Sequence, residues 1–124
     1  MHCSGIGKAL LSALSETEIS EILHKHGMRR LTPNSIVRPA RLQEALVEIR
    51  RLGYAIDDEE HAVGLRCVAS VIYDEYSKPL AAVSVSGPSA RITDRKIPDL
   101  GKLVARTALD ITAALGGRPL GHGR

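Results

Sequence analysis

The sequence has no phenylalanine and no tryptophan, and only three tyrosines among its 124 residues. Its core must therefore be built from Leu, Ile, Val and Ala. So few aromatic side chains argue against a surface that stacks nucleic-acid bases. There are two cysteines, Cys3 and Cys67, far apart in the chain. They form no Cys-x-x-Cys motif and no disulfide framework, so the expectation is reduced thiols in a cytoplasmic protein. No apolar run reaches the roughly 18 residues of a transmembrane helix. The opening MHCSGIGKALLSAL lacks the basic n-region and unbroken apolar stretch of a signal peptide. Neither sign of charge dominates: 17 Lys and Arg stand against 14 Asp and Glu, a net charge of +3. The two signs are interspersed, so an acidic partner is permitted but no dense nucleic-acid patch is present. Internal repeats and low-complexity linkers are also lacking.

The chain has the length of one domain or part of one, and its apolar content of 44% is ordinary for a globular protein. Ser4 is placed to cap a first helix to about Leu14, with Ile6, Leu10, Leu11 and Leu14 on one face. Ser15-Glu16-Thr17-Glu18 is a capping-box pattern that opens a second helix to about His26, stopped by Gly27. Pro39 fits the first turn of a third helix, whose Leu42, Ala45, Leu46 and Ile49 recur at helical spacing before Gly53. Tyr54–Ile56 reads as a short strand and Asp57–His61 as an acidic loop. The period then changes to two: Leu65–Tyr73 and Pro79–Ser86 are strands of a hairpin turning at Asp74–Lys78, and Gly87-Pro88-Ser89 breaks the second. Asp94 is a possible N-cap near a last helix, about Ile97–Leu115. Its stripe is Leu100, Leu103, Val104, Ala108, Ile111 and Leu115, and Gly116-Gly117 ends it. Residues 1–117 make the domain and 118–124 a frayed tail. A sheet of three strands has unpaired edges, and the chain starts abruptly on a helix. The expectation is a fragment whose remaining strands come from absent residues or another subunit.

Gly5-Ile6-Gly7-Lys8 is not a phosphate loop, because His2 stands where the first glycine is needed and Ala9 where Ser or Thr is needed. The backbone N–H groups of Gly5 and Ile6, at a helix start, remain able to hold an anion such as a carboxylate; alternatively the glycines only permit close packing. In Asp57-Asp58-Glu59-Glu60-His61 the consecutive acids are wrongly spaced for a metal site. Asp57, directly after a strand, can point inward while the others face water, and His61 reads as a surface or structural residue. Cys67 on its strand reads as a small buried hydrophobe. A catalytic thiolate needs a base and an electropositive setting, and this neighbourhood is acidic. Ser84 and Ser86 share one strand face, opposite to Val83 and Val85. A four-residue turn would set Cys67 opposite Ser84 and put thiol and hydroxyls on one face. A five-residue turn would set it opposite Val85, with the serines on the other face.

HCSGIGKALL, GYAIDDEEHAVGLRCVASVIYDE and SVSGPSARITD, in that order, resemble the C-terminal effector-binding domain of IclR-type bacterial transcriptional regulators over residues 2–117. The likeness is to the glyoxylate-responsive branch, which includes repressors of the glyoxylate bypass and of allantoin use. The resemblance implies an α/β (α+β), GAF-like or profilin-like curved antiparallel sheet flanked by helices, here lacking its first strands. It implies homodimers or homotetramers, and operator DNA bound through an N-terminal winged helix-turn-helix domain absent from this chain. It also implies a ligand pocket at Gly5, Ile6, Asp57, Cys67, Ser84 and Ser86, with no cofactor and no metal. Ile6 is bulkier than the alanine common in the family. Such a set suits a small 2-oxo acid, glyoxylate or pyruvate. Helix-start N–H groups and serine hydroxyls donate to its carboxylate. Asp57 accepts from a hydroxyl such as that of an aldehyde hydrate, or carries a proton. The rival readings are a sugar-acid or aromatic-acid sensor of the same family, a small enzyme using Cys67 with His61 as base or a metal at the acidic loop, and an oligomerisation module with a vestigial pocket.

Overall fold

The computed structural model describes residues 2–119. Ser4 caps helix α1 (Gly5–Ser12), its Oγ accepting from Gly7 N–H at 2.8 Å. The helix stops two residues short of Leu14, because Ala13 and Leu14 N–H turn to carbonyls three residues back, Leu10 and Leu11. Helix α2 (Glu16–His26) opens on the expected capping box: Ser15 Oγ accepts from Glu18 N–H, and Glu18 Oε1 from Ser15 N–H, both at 3.2 Å. Helix α3 (Pro39–Leu52) ends at Gly53, whose φ of 87° is left-handed.

Strands β1 (Ala55–Asp58), β2 (Leu65–Tyr73) and β3 (Pro79–Pro88) form one antiparallel sheet with β2 in the centre. Asp57 and Asp58 therefore belong to a strand, not to the acidic loop the sequence suggests. Strand β3 also continues through Gly87 and Pro88, opposite Arg66 and Leu65. Proline is tolerated there because β3 is an edge strand and its missing N–H breaks no ladder on the open side.

Helix α4 (Ile97–Ala114) follows, with Lys96 at its N-cap and no side-chain cap bond. Asp94 does not cap it. Its buried ridge is Ile97, Gly101, Val104, Ala108 and Thr112, while Leu103 and Leu115 are each 59% exposed. The expected stripe is displaced because the Tyr54 ring occupies the space above Gly101, where a β-carbon would stand 2.3 Å from the ring. Arg118 N–H donates to Asp74 O at 2.8 Å, so the chain is tied to the hairpin just past α4. The rest of the proposed tail, from residue 120, lies outside the described residues.

The sheet separates two apolar clusters. Ala9 and Leu11 of α1, Ile19 of α2, and Leu42, Leu46 and Ile49 of α3 pack with Ala55, Cys67 and Ala69 on one face. On the other, Val104 and Ile97 of α4 pack with Tyr54, Val68 and Ile92. Burial of these aliphatic faces, at roughly 25 cal/mol per Å², takes the place of the absent Phe and Trp. No helix among the described residues is long and apolar enough to cross a membrane.

Candidate functional site

Strand register brings three of the expected site residues into one row. Asp57 pairs with Cys67, and Cys67 with Ser86. Ser84 lies two residues along the same face, opposite Ala69. This register is neither of the two expected from the turn. Five residues form the turn, with Tyr73 opposite Pro79, and a bulge between Ile72 and Tyr73 then shifts the pairing by one. That shift returns the thiol and both hydroxyls to a common face.

The start of α1 lies over this row. Gly5 comes so close that a β-carbon on it would stand 2.9 Å from Cys67 Sγ and 3.5 Å from Ala69 Cβ. Gly7 and Lys8 N–H are bonded to the Ser4 hydroxyl and carbonyl, whereas Gly5 and Ile6 N–H, at the first two helical positions, have no intrahelical partner. The Ile6 side chain is 40% exposed. The expected apolar stripe of α1 is thus rotated: Gly5, Lys8, Ala9, Leu11 and Ser12 face inward.

Asp57 is 3% exposed, and its Oδ1 accepts from Glu60 N–H at 2.8 Å and His61 N–H at 3.4 Å. It caps its own turn as well as facing the row. Ser84 is half-buried and Ser86 exposed; among the described residues neither hydroxyl makes a hydrogen bond. The row is open on the β3 side, and neither the cavity lined by Leu14 and Tyr73 nor the concavity lined by Arg30 and Arg38 includes it. His61 is exposed and, among the described residues, shares no hydrogen bond with Cys67.

Glu60 does not face water as the sequence suggests. It is 7% exposed, its Oε2 accepts from Lys8 Nζ at 2.8 Å and Asp58 N–H at 3.2 Å, and its Oε1 is buried without a partner. Burial pushes its carboxyl up, with Lys8 pulling the other way. Lys8 Nζ also donates to Ile56 O at 2.5 Å. Lysine at helical spacing between Gly5 and Leu11 is the signal in the sequence for this pair, since a cation on an inward face needs a buried partner. Nearby, Arg66 spans three segments, donating to Asp58 Oδ1 (2.8 Å), Ile92 O (2.8 Å) and Asp94 Oδ1 (2.6 Å). Its hydrogen bonds to Asp58 and Asp94 hold the guanidinium above its usual range. Among the described residues, no group of three His, Cys, Asp or Glu is arranged to hold a metal ion.

Comparison with known proteins gives a consistent picture. The family model described as bacterial transcriptional regulator IclR, C-terminal, matches residues 1–113. The acetate operon repressor of Salmonella typhimurium is 50% identical over 117 residues, which is 94% of this chain and 43% of that protein. The HTH-type transcriptional repressor AllR of Escherichia coli is 47% identical over 116 residues, again 94% of this chain and 43% of that protein. The crystal structure of the Thermotoga maritima IclR superposes with a TM-score of 0.88 at 35% identity, covering 93% of this chain and 47% of that one. The chain thus spans less than half the length of each of these relatives.

Proposed function

Because the chain belongs to the IclR-type family of bacterial transcriptional regulators, matching their C-terminal effector-binding domain, we propose that it senses a small 2-oxo acid, glyoxylate or pyruvate. Residues 1–117 form the sensing unit of a cytoplasmic, homodimeric or homotetrameric repressor whose operator contacts lie in a separate winged helix-turn-helix domain. The observation that carries this reading is the row Asp57–Cys67–Ser86 beneath the free N–H groups of Gly5 and Ile6.

The chemistry divides along the row. The two N–H groups at the positive end of α1 and the hydroxyls of Ser84 and Ser86 donate to the effector carboxylate. Asp57 repels a second carboxylate and accepts from a hydroxyl on the hydrated aldehyde. Cys67 forms the wall between these two halves. Binding alters operator affinity through the arrangement of subunits, which requires the ligand to prefer one assembly over the other.

Thermal-shift titration against glyoxylate, pyruvate, glycolate and gluconate tests this reading. A ligand at a hundred times its Kd adds about 2.7 kcal/mol. A shift with gluconate alone would make the effector a sugar acid. No shift with any of the four, or a shift untouched by Asp57→Ala and Ser84→Ala, would remove the proposed site.

A further inference from the structure

A cavity of about 490 Å³ lies at the other end of α1 from Gly5, between the α1–α3 layer and α4. It opens where the sheet is incomplete: β1 pairs only with residues 66–69 of β2, so Ser70–Tyr73 run on past its end. The walls are mainly apolar, from Leu14, Ile49, Val71 and Leu109, and two of the three tyrosines in the chain, Tyr54 and Tyr73, line it. Its size falls within the roughly 300–1,000 Å³ of sites for small organic molecules.

The polar groups of the cavity select a ligand class. Two of its serine hydroxyls already donate internally, Ser12 Oγ to Ala9 O and Ser70 Oγ to Gly53 O, while Ser15 Oγ accepts from Glu18 N–H. Arg50 is held in place by its Nε, which donates to Ser12 O at 2.8 Å. Among the described residues its guanidinium pairs with no carboxylate. The Tyr73 hydroxyl lies within the field of Arg50, and burial pushes that phenol up, so it remains a donor at neutral pH. Arg50 and the one acid lining the cavity, Glu16, are both exposed, but Arg50 is anchored at the wall by its bond to Ser12 O, whereas the Glu16 carboxylate makes no hydrogen bond among the described residues. An oriented cation and a phenol donor beside an apolar wall fit one negative head on an apolar body.

We propose that this cavity is a second ligand site, for an apolar monocarboxylate whose head sits at Arg50 and Tyr73 and whose body lies along Leu14, Ile49 and Leu109. The site shares no residue with the row at Cys67 and does not rest on the effector assigned there. Its occupant would join the helix layers on the two sides of the sheet.

Calorimetric titration with phenylacetate tests the proposal, with phenylacetamide as the uncharged probe of the same shape. Phenylacetate should bind one to one, and the amide at least tenfold more weakly. Arg50→Met should weaken phenylacetate at least tenfold and leave the amide unchanged; Arg50→Lys, which keeps the cation, serves if the methionine variant melts early. Ala105→Leu, which fills the cavity from α4, should abolish binding of both, and Ser86→Ala should change neither. The proposal is overturned by a wild-type protein that does not bind phenylacetate. It is equally overturned by affinity that survives both Arg50→Met and Ala105→Leu, or by binding lost in Ser86→Ala, which would put the probe in the other site.

Discussion

The backbone of Gly5 rests against the thiol of Cys67, leaving no room for a side chain at position 5. Alanine there would gain about 0.5–1 kcal/mol from the lower entropy cost of ordering the helix. The 2.9 Å approach of its β-carbon to Sγ is overpacking, which costs about 1–3 kcal/mol, so Gly5→Ala should be net destabilising. Cys67→Ala removes the sulfur, after which the nearest neighbours of the added methyl stand at 3.5 Å, an ordinary contact. Gly5→Ala with Cys67→Ala should therefore be more stable than the sum of the single changes. Urea unfolding of the four proteins measures this coupling, and simple additivity would mean that helix and sulfur do not touch.

The buried pair of Lys8 and Glu60 joins α1 to the turn that Asp57 caps from the end of β1. Lys8→Met leaves a buried carboxylate without its cation, which costs about 3–5 kcal/mol. Adding Glu60→Gln removes the stranded charge and keeps an oxygen for Asp58 N–H, so the double variant should recover part of that loss. Ile56 O still loses its donor, so recovery stops short of wild type. Denaturant midpoints decide the matter: a double variant less stable than Lys8→Met would show that the charge on Glu60 is not what matters.

Burial raises the Glu60 carboxyl above its ordinary value, and the sign of the resulting pH dependence follows. The native state holds this proton more tightly than the unfolded chain does. The stability it contributes is full below the unfolded glutamate pKa of about 4.3 and is lost as pH rises through the higher folded value. The stability of wild type minus that of Glu60→Gln should therefore fall with pH across that window and level off above it. Thermal melts across the window measure the difference, and a difference that rises with pH would contradict the burial of this group.

Much of this architecture is legible in the sequence because its signals are local. Ser4, the Ser15–Glu18 box, Gly27 and Gly53 mark helix ends within four residues of the groups they satisfy. The period of two in Leu65–Tyr73 needs no knowledge of its neighbours. What the sequence conceals is set by distant partners. Asp94 resembles a helix cap but is taken by Arg66, 28 residues earlier. Glu60 resembles a solvated acid until Lys8, 52 residues earlier, is placed beside it. The rotation of α1 follows from the contact between Gly5 and Cys67, which spacing along α1 cannot show. The motif at the site names the residues of the row, but the bulge that aligns Cys67 with Ser86 is a property of the hairpin in three dimensions.

Ser86 and Asp57 flank Cys67 from opposite strands, and their substitutions should separate binding from folding. Ser86 is exposed on an edge strand and its hydroxyl bonds nothing among the described residues. Ser86→Ala should thus change stability by less than about 0.5 kcal/mol while weakening glyoxylate. Asp57 also holds its own turn through Glu60 and His61 N–H. Asp57→Ala strands those donors and should cost about 1–3 kcal/mol in addition to any loss of binding. Asp57→Asn keeps an acceptor for Glu60 N–H and removes the charge, so it should restore most of the stability but not the wild-type affinity. Melting temperature and glyoxylate titration of the three variants resolve the two roles. Wild-type affinity in Asp57→Asn would leave Asp57 as a turn cap alone, and a Ser86→Ala protein that binds normally but melts early would make that serine structural.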